Sequence, residues 1–310
     1  MFKRILLVFG ILLIGLSALA VWLYQRDPLQ ALPQPEHHLQ SERILLARQN
    51  GRRVEHIVLR GSAIGEIGFT ISLPDPLPAE KLPLLFVLGG LGTGENNISF
   101  IKNAGNNAII GYDWPIPTQF PNGLDFLLDA PDLYRQAMSI PAQAVSMIGW
   151  LAEQPWANKQ RISLLGFSLG ALAVPSIQDM AEHDGHAIGW TIIAYGGAPL
   201  GDLFAANPHM KPHWLRDLMA PVVNLLLRPL EPMLHAPHLS GRFLVLEGQD
   251  DTLVPEKLRV NLREAVPQPK DVIVFKGSHM GVGPNKFELL QKIIETSRDW
   301  LIRNGAVNPA

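Results

Sequence analysis

The sequence predicts an α/β fold, a mainly parallel sheet flanked by helices, carrying a short helical cap and a separate N-terminal apolar helix. Three observations predict it. Short apolar runs recur at Leu84 to Leu88, Ala108 to Ile110, Ile162 to Leu165, Thr191 to Ala194, Phe243 to Leu246 and Val272 to Phe275, as expected of strands buried on both faces. Helical periodicity lies among them: Ala144, Ile148 and Leu151 stand at i, i+4 and i+7, and Leu290, Ile293, Ile294 and Leu301 at i, i+3, i+4 and i+11. Strands alternating with helices imply parallel crossovers that cover both sheet faces. Finally, 310 residues with 47% hydrophobic and 17% charged side chains can bury a large core, which excludes a mainly disordered chain.

Taken in order, the chain opens with Lys3 and Arg4, followed by an uncharged run from Ile5 to Tyr24. Those 20 residues reach roughly 30 Å as a helix, the hydrocarbon thickness of a bilayer. The positive flank keeps Met1 in the cytoplasm and sends everything after Gln25 across, with Trp22 and Tyr24 at the interface. Ala18-Leu19-Ala20 also offers the small-x-small pattern of a signal peptidase site, so cleavage near Ala20 is the alternative to an uncleaved anchor. Either reading places the remainder outside the cytoplasm. Residues 1–26 are thus a membrane anchor or signal segment, and 27–52, with Pro28, Pro33 and Pro35, a tether.

Residues 53–310 form one domain. Val54 to Leu59 and Gly68 to Leu73 suggest an opening antiparallel pair. Residues 198–240, after Gly196-Gly197, are a helical cap insertion. Its apolar stripe, including Trp214, Leu215, Leu218 and Val222, either packs on the domain, lines an acyl pocket or faces a membrane. Tyr112-Asp113-Trp114-Pro115 is a further pocket wall or packing element. The formal charge of -2, with acids and bases interspersed, provides no basic field for nucleic acid. The absence of cysteine removes disulfides, thiolate metal sites and cysteine nucleophiles. His183-Asp184-Gly185-His186 lacks an evident third metal ligand and reads as a polar helix-end loop.

The chemistry resides in three motifs. Gly166-Phe167-Ser168-Leu169-Gly170 follows a predicted strand and precedes a helix-compatible stretch, the context of a nucleophile elbow. Its glycines are needed because side chains there would collide with the neighbouring strand or helix while the serine occupies a strained tip. Gly248-Gln249-Asp250-Asp251 ends the Phe243 strand with two candidate acids, and Gly277-Ser278-His279-Met280-Gly281 follows the Val272 strand. Ser, Asp and His therefore occur in one chain order, each on a loop at the same predicted sheet edge. Pro175 lies in the helix after the elbow and predicts a kink or an early helix end.

From about Arg53 to the C-terminus the chain resembles the α/β-hydrolase superfamily, and is most similar to its esterase and dienelactone-hydrolase-like branches. The resemblance implies Ser168 as nucleophile, His279 as general base and acid, and Asp251 as the carboxylate that orients the imidazole. Asp250 is the competing acid; the family's Gly-x-x-Asp-x-x-Val-Pro pattern fits Gly248, Asp251, Val254 and Pro255 in register. It also implies an oxyanion hole built from the Leu169 N–H and a second N–H from the loop Gly89 to Gly94, given by Gly90 or Leu91. Leu88 stands where a histidine often precedes those glycines. The implied reaction is hydrolysis of a small-molecule carboxylic ester without cofactor or metal. A peptidase or thioesterase would use the same residues, and a non-catalytic membrane-tethered binding protein is the reading from another class. Gly90-Leu91-Gly92 lacks the third glycine of a dinucleotide fingerprint, and no Gly-Lys-Ser/Thr ending follows, which argues against a nucleotide loop.

Overall fold

The structure, a computed structural model, describes residues 2–90, 92–117, 124–207, 213–282 and 286–309. Among them the strands are β1 (Gln40–Gln49), β2 (Arg52–Arg60), β3 (Glu66–Pro74), β4 (Leu82–Leu88), β5 (Ala108–Tyr112), β6 (Ala157–Phe167), β7 (Trp190–Ala194), β8 (Arg242–Gly248) and β9 (Lys270–Phe275). The helices are α1 (Phe2–Gln25), α2 (Gly94–Ile98), α3 (Leu124–Ala152), α4 (Leu169–His183), α5 (Leu200–Ala206), α6 (His213–Leu226), α7 (Pro232–His235), α8 (Glu256–Ala265) and α9 (Lys286–Arg303). The strands join in one sheet in the order β1-β2-β3-β5-β4-β6-β7-β8-β9. From β5 through β9 every pairing is parallel, whereas β1-β2, β2-β3 and β3-β5 are antiparallel.

Alternation along the central strands divides the core in two. Leu84, Phe86 and Leu88 of β4 and Ile110 of β5 pack on one face with Val145 and Ile148 of α3 and Val174 and Ile177 of α4. Leu85, Val87 and Ile109 point the other way, into a second cluster with Ile293, Trp300 and Leu301 of α9. Trp300 Nε1 donates to Asp271 of β9 at 2.7 Å, tying that helix to the sheet edge.

Several expectations are corrected. The segment 27–52 is more than a tether: it holds β1, and Leu32 is buried in the core. The Glu36 carboxylate accepts from the backbone N–H groups of Ser62, Ala63 and Ile64 at 2.6–2.9 Å, which fastens the segment to the β2–β3 turn. The β9 run is not buried on both faces, since β9 is an edge strand with Val272 40% and Val274 51% exposed. Pro175 does not end α4, which continues to His183 because surrounding packing outweighs the one hydrogen bond proline forfeits. The region 198–240 is helical as expected, through α5, α6 and α7. Its apolar stripe packs on the domain only in part: Leu227 lies against the main core, whereas Trp214 is 68% and Leu218 64% exposed, with Val222 and Leu226 beside them. Ala220 and Asn224 face Gly201 of α5, and the Leu215 side chain lies outside those described.

At the N-terminus, the side chains at 2–9, 11–13 and 16 of α1 also lie outside those described. Among the described residues no helix is long and apolar enough to cross a membrane, so the expected span is not found there. The end of α1 meets the cap: Arg228 stacks over the Tyr24 ring at 4.9 Å.

Candidate active site

The loops after β4, β6, β7, β8 and β9 all leave the carboxyl ends of parallel strands, where the sheet gathers residues distant in sequence. Ser168 sits between β6 and α4 with φ of 54°, a left-handed conformation that costs a non-glycine residue energy and persists only where its surroundings enforce it. Ser168 N donates to the Ala194 carbonyl at 2.9 Å, pinning the turn to β7. A Cβ on Gly170 would collide with the Leu88 carbonyl, and one on Gly166 with Val174 and the Gly170 carbonyl. Glycine at both positions is what lets helix and strands close around the serine.

Ser168 Oγ lies 2.8 Å from His279 Nε2, and His279 Nδ1 lies 2.7 Å from Asp251 Oδ2. An ionised carboxylate can only accept, so Nδ1 carries the proton and Nε2 presents its lone pair to the serine hydroxyl. Asp251 Oδ1 accepts from the N–H groups of Leu253 at 2.9 Å and Val254 at 3.0 Å, which fixes the carboxylate plane. Asp251 and His279 are buried, whereas Asp250, the competing acid, is exposed. The structure thus brings Ser168, His279 and Asp251 together and leaves Asp250 apart.

Supporting residues that the motifs did not reveal surround this chain of hydrogen bonds. The Tyr195 ring packs edge-on against the imidazole, with centroids 5.5 Å apart and an interplanar angle of 83°. Burial first, and the Asp251 carboxylate second, push its hydroxyl up to about 12 against the opposing pull of Arg259, so Tyr195 stays neutral. Arg259 reaches from α8 to the carbonyls of Asp251 at 3.2 Å and Val254 at 2.8 Å, holding the acid's loop. Asp113 accepts from the Gly94 N–H through one oxygen and pairs with His56 Nε2 at 2.8 Å through the other, tying down the glycine loop after β4. In sequence, Asp113 was visible only as part of a pocket wall. Tyr112 and Trp114 beside it are packing residues, stacked edge-on at 5.5 Å, with the Tyr112 hydroxyl donating to Gln143 at 2.7 Å.

Of the residues expected to hold an oxyanion, Leu169 opens α4, where the first N–H groups have no intrahelical acceptor and the helix dipole is positive. Gly90 is exposed on the loop after β4, and Leu91 lies outside the described residues. His183 and His186 sit at the C-terminal end of α4, where His183 Nδ1 approaches the Asp179 carbonyl at 2.9 Å. No group of three or more metal-binding side chains is placed to hold an ion among the described residues.

No protein-family model matches the sequence, and no curated protein matches it. Solved structures do. An acetyl xylan esterase from a Paenibacillus species is similar with a TM-score of 0.61 at 16% identity, over 87% of this chain and 90% of that one. Acetyl xylan esterase 1 from a Thermoanaerobacterium species gives 0.60 at 15%, over 86% and 90%. A hyperthermophilic esterase from Pyrobaculum calidifontis gives 0.55 at 15%, over 93% and 91%. At such identities the likeness defines the fold: this chain has the α/β-hydrolase fold.

Proposed function

We propose that the protein is a serine hydrolase of carboxylic esters, working through an acyl-enzyme, with Ser168 as nucleophile, His279 as general base and acid, and Asp251 as the orienting carboxylate. The observation that carries this reading is the continuous path from Ser168 Oγ through His279 to Asp251, ending on a serine at positive φ. The esterases that share the fold support ester cleavage.

In the first half-reaction Ser168 Oγ attacks the ester carbonyl carbon while His279 Nε2 takes its proton. The imidazolium formed is stabilised by Asp251, and the carbonyl oxygen, now negative, is met by the Leu169 N–H and one from the loop at Gly90 and Leu91. Collapse of this intermediate breaks the C–O bond to the alcohol, which departs with the proton from His279. Water then repeats the sequence on the acyl-serine, releasing the acid and restoring the serine. All groups required are side chains and backbone amides of this chain.

The N-terminal segment completes the proposal. The uncharged run from Ile5 to Tyr24, preceded by Lys3 and Arg4, supports a membrane anchor with the hydrolase domain on the extracytoplasmic side, or a secreted or periplasmic domain after cleavage near Ala20. The exposed apolar face of α6 beside the end of α1 supports the anchored form. One experiment tests both parts: p-nitrophenyl ester hydrolysis in fractionated bacterial cells expressing the full chain. Activity should sediment with membranes and vanish with Ser168→Ala. Activity retained by the variant contradicts the nucleophile, and activity in the soluble cytoplasmic fraction contradicts the extracytoplasmic placement.

A further inference from the structure

A cavity of about 260 Å³ lies between the sheet and α9. Its floor is the sheet face carrying Leu85, Val87, Ile109 and Leu165, and Leu290 and Ile294 of α9 form the opposite wall. The cavity is partly open to solvent, and its lining is mainly apolar, with Lys102 and Arg298 among the polar residues. For scale, an apolar cavity of about 150 Å³ accommodates the six carbons of benzene.

One end of the cavity is lined by residues that adjoin the candidate active site in sequence. Phe167 and Met280, the chain neighbours of Ser168 and His279, line it there, while the triad side chains themselves stand outside the lining. Gly89 and Gly90, on the loop that supplies an oxyanion donor, line the same end, and a Cβ on Gly90 would meet nothing within 4 Å. Side chains alternate along a strand, so Leu85, Val87 and Gly89 share one face, and four residues of rise carry the cavity about 13 Å down the sheet. The cap does not contribute to this lining among the described residues.

We propose that this cavity is the acyl-chain subsite, and that the preferred substrates are esters of unbranched aliphatic acids of about ten carbons, by scaling from that benzene cavity. The inference rests on the proposed role of Ser168. It separates this chain from the acetyl xylan esterases that share its fold, whose named acyl group has two carbons. The chain would lie extended along the sheet with its carbonyl at the glycine end. Burial of each methylene favours the transition state by up to about fourfold.

The test is kcat/KM for p-nitrophenyl esters from acetate to palmitate, measured on the full-length protein and on Leu290→Trp and Leu290→Ala. Wild type should climb with chain length to an optimum near ten carbons and fall beyond it. Leu290→Trp, which fills the cavity, should move the optimum to shorter acids and lower the decanoate-to-acetate ratio at least tenfold. Leu290→Ala, which enlarges it, should move the optimum the other way. Opposite shifts cannot arise from a general loss of folding. A protein that hydrolyses acetate but shows a flat profile, or one that both substitutions leave unchanged, overturns the subsite while sparing the Ser168 reading. Hydrolysis of no ester at all overturns both.

Discussion

At Ser168 three constraints converge on one residue: the left-handed backbone, the N–H bonded to Ala194, and the hydroxyl facing His279. The two carboxylates downstream show how finely position decides. Asp251 is buried against the imidazole and two backbone amides, while Asp250, one residue earlier, is exposed. Asp251→Asn should therefore lower kcat by about 10⁴-fold with little change in unfolding temperature, because an amide donor in that place favours the wrong imidazole tautomer. Asp250→Asn should change kcat less than about twofold, well short of that tautomer penalty. Equal losses in steady-state assays of the two variants would contradict the assignment. The serine and the histidine were legible because each sits in a glycine-punctuated loop directly after a strand. Tyr195, Arg259 and Asp113 were not, because their contacts with the site exist only once separate segments of chain meet.

Among the elements, the strands easiest to read were those with two buried faces, marked by short apolar runs, although the β9 run shows that such a run also occurs on an exposed edge strand. β1 escaped notice because it is an edge strand with Ile44 and Leu45 exposed, so burial imposes no alternation on its sequence. The antiparallel pair β2 and β3 was legible from its turns and partial alternation. Glu36 adds to the β1–β2 ladder in holding the N-terminal segment to that pair. The N–H of Ser62 foremost, then that of Ala63, hold its carboxyl below the usual range; desolvation opposes them, and the Ile64 N–H and Ser62 hydroxyl add to the lowering. A depressed folded value means the stabilisation is fully present above the ordinary carboxyl value of 4.5 and is lost as pH falls through the folded value. Glu36→Gln should cost about 1 kcal/mol at neutral pH, kept modest by solvent screening. Urea unfolding at pH 7 and again in acid should show the gap to wild type closing in acid; a gap independent of pH would contradict the charge-based account.

For the molecule as a whole, the parallel sheet followed from strand-helix alternation, but the order β3-β5-β4-β6 did not, because neighbours in a sheet are fixed by crossovers that leave no mark in local periodicity. That order puts the elbow strand β6 between β4, which carries the glycine loop, and β7, which carries Tyr195. Beyond it, β8 and β9 bring the acid and histidine loops to the same edge. The cavity beneath the site was likewise hidden, since Leu85, Ile109 and Leu290 read as ordinary core positions until the sheet and α9 are placed together. The central claim, that this arrangement makes Ser168 a nucleophile, is tested most directly by treating the folded protein with a fluorophosphonate and mapping the adduct by peptide mass spectrometry. The account predicts one equivalent of label on Ser168, abolished by prior heat denaturation and slowed by His279→Ala. Folded protein that takes up no label, or takes it up at another residue, would contradict it.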